Sequence, residues 1–188
     1  MSDRIEMIRT LREHTEYCLY SDLMDFNDFP ELFNLLASAT EADKITISLN
    51  SGGGRCDIGQ MIIRAIQGCK AHVHVDVVYP SASMASLIAL SGNSLTLQPG
   101  SYLMWHNYSG GAQGKGDAMV QGITADDRAL KVMNAVCAPF LTPAEMRSVE
   151  SDKDIYLFWD DKSLPDRIKR HFRTQLPKKA PKVALKEA

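Results

Sequence analysis

Between residues 45 and 77 the hydrophobic period of the chain changes from two to about 3.6 and back again, and few folds accommodate that change. Ile45, Ile47 and Leu49 alternate with Thr46 and Ser48, and Val73, Val75 and Val77 alternate with His72, His74 and Asp76. Each run presents one apolar face, as a half-buried strand does. The intervening Ile58, Met61, Ile62, Ala65 and Ile66 recur at i, i+3, i+4, i+7 and i+8, which stacks them along one side of a helix. A helix of this kind between two strands buries its apolar face on the sheet they form. The expectation is an α/β fold with a parallel sheet and right-handed crossovers.

The alternation extends in both directions. Residues 4–14 place Ile5, Ile8 and Leu11 at helical spacing, and Tyr17-Cys18-Leu19-Tyr20 follows as a short strand. Asp28 and Pro30 mark the start of a helix over about 30–39, with Leu32, Leu35 and Leu36 on one face. The polar, glycine-rich Asn50-Ser51-Gly52-Gly53-Gly54 ends the first clear strand, and Asp57 is the expected cap of the crossover helix. A helix beginning near Ser83 carries Met84, Leu87 and Ile88 and stops at Gly92, and strands over about 94–98 and 101–106 flank a Pro99-Gly100 turn. A long helical stretch over 117–139 has Ile123, Leu130, Met133 and Val136 as its apolar positions. Thr142-Pro143-Ala144-Glu145 is a capping box with proline at the first helical position, so another helix starts there. No internal repeat of 20 to 50 residues is evident.

The length of 188 residues suits one domain that buries its own core. Residues 1–175 read as that domain. Residues 176–188, LPKKAPKVALKEA, read as a basic, poorly ordered tail, with two prolines, five charged side chains and no apolar period. The formal net charge of −2 divides into −9 up to residue 161 and +7 beyond it. A solvated end is the preferred reading of that imbalance over a nucleic-acid contact. No apolar run approaches the roughly 18 residues of a membrane span, and the mixed-charge Met1-Ser2-Asp3-Arg4 does not open a signal peptide, so a cytoplasmic protein is expected. Cys18, Cys56, Cys69 and Cys137 lie far apart with no C-x-x-C pair, which argues against a zinc cluster or disulfide scaffold and reads them as small core hydrophobes. No phosphate-binding G-x-x-x-x-G-K-[ST] occurs, and no metal or cofactor is expected.

A serine nucleophile needs an exposed hydroxyl, an imidazole base, an acid orienting that base and N–H donors for the developing oxyanion. The chain offers a candidate for each. Ser83 stands at a turn into a helix, where free N–H groups favour negative charge. His106 ends a strand just before a glycine-rich loop, and Gly52-Gly53-Gly54 closes another strand without side chains to obstruct a substrate carbonyl. Each also has an ordinary explanation: a helix cap, a strand-end histidine, a turn.

Ala82-Ser83-Met84, followed 23 residues after the serine by Met104-Trp105-His106-Asn107 and then Gly110-Gly111, resembles the catalytic region of the Clp protease proteolytic subunit family. In that family the serine lies in an A-S-M-G segment at a helix start and the histidine in an M-I-H-x-P-x-G-G segment. Ile47-Ser48-Leu49-Asn50-Ser51-Gly52-Gly53-Gly54 is similar to the family's I-N-S-P-G-G segment. The three motifs recur in order, and the likeness runs from about Tyr17 to Leu157.

The resemblance implies a ClpP/crotonase-like spiral of parallel βαβ units with a protruding handle helix. It implies a serine endopeptidase acting on polypeptides, with Ser83 as nucleophile, His106 as general base, and the N–H groups of Gly53 and Met84 as oxyanion donors. The family's acid precedes an aromatic-leucine pair, which Asp154-Ile155-Tyr156-Leu157 matches. Asp154 is the first choice and Asp152 the alternative, and the non-catalytic reading of both is a solvated helix end. Gly110 and Gly111 correspond to a substrate-binding arm, and residues 117–139 to a handle joining two rings of the heptameric kind in a homo-oligomer. An AAA+ unfoldase stays open as a partner but is not favoured, because the segment before the first strand, which forms axial loops in the family, is shortened and different here. The chain departs from the pattern at Gly52 (usually proline), Ala85 (usually glycine) and Tyr79-Pro80-Ser81 (usually glycine-rich). Two rivals stay open: a noncatalytic scaffold subunit, and a crotonase-type acyl-CoA hydratase or isomerase.

Overall fold

Among the residues described by the structure, a computed structural model covering 14–107, 109–110, 114–134 and 136–175, six strands form one sheet. The strands are β1 (His14–Leu19), β2 (Lys44–Ser51), β3 (His72–Ala82), β4 (Ser94–Leu97), β5 (Tyr102–Trp105) and β6 (Ile155–Phe158). The helices are α1 (Pro30–Ser38), α2 (Cys56–Gly68), α3 (Met84–Ala89), α4 (Gly116–Asn134), α5 (Pro143–Glu150) and α6 (Leu164–Gln175). The order across the sheet is β1-β2-β3-β5-β6, with β4 also on β3. All pairings are parallel except β5 with β6. The expected α/β class with a mainly parallel sheet is what forms.

The two periods place the core. Ile45, Ile47 and Leu49 of β2 and Val73, Val75 and Val77 of β3 are buried against Ile58, Ile62 and Ile66 of α2. The opposite face is polar: His14 bonds Thr46, and His74 bonds Ser94, both across strands. Gly59 lets α2 approach α3, since a Cβ there would collide with the Met84 side chain.

Several boundaries differ from expectation. The helix over 4–14 falls outside the described residues except for His14, which begins β1. Strand β1 starts three residues before Tyr17 and leaves Tyr20 out. Asp57 does not cap α2, because Arg55 occupies the N-cap and its guanidinium holds the Asp57 carboxylate at 2.6 and 3.1 Å instead. The strands around Pro99-Gly100 do not pair with each other; the turn steps the chain from His74–Val77 of β3 to Ser81 and Ala82 of the same strand. Helix α4 ends at Asn134 rather than 139, and Cys137, Phe140 and Leu141 are buried in the following turn. Of the four cysteines only Cys137 is a core residue; Cys18 is exposed, and Cys56 and Cys69 are half-buried. The Thr142 capping box forms as expected. Residues 176–188 lie outside the described residues. No described helix is long and apolar enough to cross a membrane.

Candidate active site

Ser83 occupies the junction between β3 and α3 with φ 56° and ψ −123°, a conformation that L-residues rarely adopt. Holding a serine there costs on the order of 1–3 kcal/mol. The turn is held by the Ser83 N–H, which donates to Met104 O at 2.8 Å. As a helix cap, Ser83 would bond its own first turn, yet its side chain makes no capping bond. Its Oγ lies 2.7 Å from His106 Nε2, a hydrogen bond spanning 23 residues.

His106 follows β5 directly and is half-buried. Strand β5 reaches β3 through only two register pairs, Ser81 with Leu103 and Ala82 with Met104. That pairing carries the end of β5 past the nucleophile turn. The backbone of this pairing is what brings imidazole and hydroxyl together.

The glycine loop lies against the same turn. Gly53 has φ 97°, and a Cβ there would sit 2.7 Å from Ala82 O and 2.9 Å from Met84 N, so only glycine fits. Its N–H donates to Ser51 Oγ at 3.1 Å. Asp22 Oδ1 accepts the Gly52 N–H at 2.7 Å, the Leu23 N–H donates to Gly53 O at 2.7 Å, and the Arg55 N–H donates to Leu23 O at 2.9 Å. The last two of these bonds make Gly54 the centre of a parallel bridge with Leu23. In such a bridge the central residue turns its own N–H away from the partner segment. The Gly54 N–H therefore faces away from Leu23.

The acids are placed by β6. Its register with β5 pairs Trp105 with Ile155, so His106 and Asp154 are the next residues along each strand. Asp154 is exposed and makes no hydrogen bond to His106 among the described residues. Asp152 is also exposed, has φ 59°, and accepts from Asn107 Nδ2 at 2.7 Å. Gly110 is exposed beyond His106, and Gly111 lies outside the described residues.

Three contributors were not singled out from the sequence: Asp22, Asn107 and Ser86. Only Ser86 left a signal, as the one polar residue among the six of α3, all of them buried. The family model described as Clp protease matches residues 11–158.

Proposed function

Because the chain belongs to the Clp protease family, we propose that it is a serine endopeptidase whose nucleophile is Ser83 and whose general base is His106. The observation that carries this reading is the 2.7 Å contact between Ser83 Oγ and His106 Nε2, made by a serine that forgoes its capping bond. His106 accepts the Ser83 proton at Nε2 as Oγ attacks the peptide carbonyl, then returns it to the leaving amine, and water releases the acyl-enzyme by the same route. Asp154, one register step past the Trp105–Ile155 pair, orients the imidazole and stabilises its charged form.

The tetrahedral oxyanion is held by the Met84 N–H and by the glycine loop. Gly53 is the donor that the family pattern suggests, and its N–H must leave Ser51 Oγ to serve; the Gly54 N–H, directed away from Leu23, needs no such exchange. One donor of this kind is worth about 3 kcal/mol in the transition state. Gly110 and Gly111 are the residues assigned to binding an extended polypeptide. Helix α4 is the handle of a homo-oligomer built from spiral βαβ subunits, in rings of the heptameric kind. No cofactor enters this chemistry. Hydrolysis of a small peptide ester by the wild type, and not by Ser83→Ala, tests the reading; turnover retained in Ser83→Ala refutes it.

A further inference from the structure

We infer that Ser86 is a positioning residue that sets the distance between the nucleophile and its base. This inference rests on the serine-peptidase reading and adds a residue to it. Ser86 is fully buried in the first turn of α3, three residues after Ser83. Its Oγ lies 2.9 Å from Ser81 O and 2.8 Å from Met104 O, and it accepts the Met104 N–H at 3.1 Å. The hydroxyl has one proton, shared between the two carbonyls, and its lone pairs take the Met104 amide.

The position of these bonds gives them their effect. The ladder between β3, which delivers Ser83, and β5, which delivers His106, has only two register pairs. At its end, Met104 is held by the nucleophile turn through both backbone groups: its carbonyl by the Ser83 N–H at 2.8 Å and by Ser86, its N–H by Ser86. Met104 and His106 are two residues apart on one strand direction, so they share a face. A shift of the Met104 peptide therefore carries the imidazole with it. Displacements near 1 Å at a reacting pair cost on the order of a hundredfold in rate.

The clamp is distinguished from ordinary stabilisation by comparison with Ser91. Ser91 is also buried beside α3 and its hydroxyl donates to Ile88 O at 2.7 Å, within its own turn and away from Met104. The experiment measures the rate of Ser83 labelling by a fluorophosphonate, and kcat and KM for a peptide ester, per folded molecule in wild type, Ser86→Ala, Ser86→Cys and Ser91→Ala. Ser86→Ala is expected to slow labelling and kcat by about tenfold to a hundredfold with KM unchanged. Ser86→Cys, which keeps a weak donor and acceptor, is expected to fall between, and it stands in if Ser86→Ala does not fold. Ser91→Ala is expected to stay within about twofold of wild type, as a hydrogen bond remote from the reacting pair should. Wild-type rates in Ser86→Ala, or equal losses in Ser86→Ala and Ser91→Ala, overturn the clamp. A wild type that is not labelled at all refutes the peptidase reading instead. Crystal structures then still decide the clamp, which predicts a longer Ser83–His106 separation in Ser86→Ala and is overturned by an unchanged 2.7 Å.

Discussion

Trp105 and Ile155 face each other across the antiparallel β5–β6 ladder, and continuing that register by one residue sets Asp154 opposite His106. Directly opposed residues on antiparallel strands hold their Cβ atoms about 5 Å apart on one face. Asp152 is instead engaged by Asn107 at 2.7 Å. On the proposed reading Asp154 is the orienting acid and Asp152 is not. Asp154→Asn is expected to lower kcat by about a thousandfold or more, because an orienting acid lost from such a triad leaves the imidazole in the wrong tautomer. Asp152→Asn is expected to change kcat by less than about threefold, since its carboxylate bonds Asn107 and not the imidazole. Steady-state hydrolysis of a peptide ester by both variants decides the assignment; a larger loss in Asp152→Asn reverses it.

Gly53→Ala is expected to cost both activity and stability. The new methyl group would press on the backbone of Ala82 and Met84, at 2.7 and 2.9 Å, in a conformation with φ 97°. Strain of this kind is on the order of 1–3 kcal/mol, and the shift would displace Met84, the proposed oxyanion donor. Gly100→Ala is the comparison, with φ 88° and nothing within 4 Å of its Cβ. It is expected to lower the unfolding free energy by a similar strain and to leave kcat unchanged. Denaturant titration and ester hydrolysis on the two variants separate strain from catalysis.

Acid stability should depend on one half-buried ion pair. Arg167 grips both Glu145 oxygens at 2.8 Å, and this bond, with the Thr142 backbone and hydroxyl, lowers the Glu145 carboxyl from 4.5 to about 2. A carboxyl depressed on folding contributes stability above its unfolded value, and that contribution is lost as pH falls from 4.5 towards 2. Its ceiling is about 3 kcal/mol. In Glu145→Gln the unfolding free energy is expected to lose this pH dependence and to be lower at neutral pH, because Arg167, only 11% exposed, is left without its counter-charge. Equal slopes for wild type and Glu145→Gln between those pH values would show that the pair is not the acid-sensitive element.

Thiol reactivity should divide the cysteines. Burial pushes the Cys137 thiol up to about 12 and removes it from solvent, whereas Cys18 is exposed on edge strand β1. Alkylation of the native protein by iodoacetamide, mapped by mass spectrometry, is expected to modify Cys18 rapidly and Cys137 only after unfolding. Rapid native modification of Cys137 would contradict its packing.

Parts of the fold were plain in the sequence because one periodic signal dominated them. In β2, α2 and β3 apolar and polar residues alternate cleanly, so both the element and its buried face could be read. Strand β6 offers no such contrast, since Ile155, Tyr156, Leu157 and Phe158 are apolar on both faces. Helix α6 was hidden by its charge: its packing stripe is Leu164, Ile168, His171 and Phe172, and His171, fully buried with Nε2 donating to Leu90 O at 2.8 Å, reads as polar. At the site, period and spacing supplied only a serine at a turn and a histidine at a strand end; the family motifs joined them. The Ser86 and Asp22 bonds depend on segments brought together by strand pairing, which local sequence does not encode.

The claim at the centre of this account is that Ser83 and His106 act as one chemical unit. Mass-spectrometric mapping of a fluorophosphonate adduct in wild type, His106→Ala and Ser83→Ala measures this directly. The account predicts a single adduct on Ser83 in the wild type and none in either variant. An adduct on another residue, or Ser83 labelled as fast in His106→Ala as in the wild type, would contradict it.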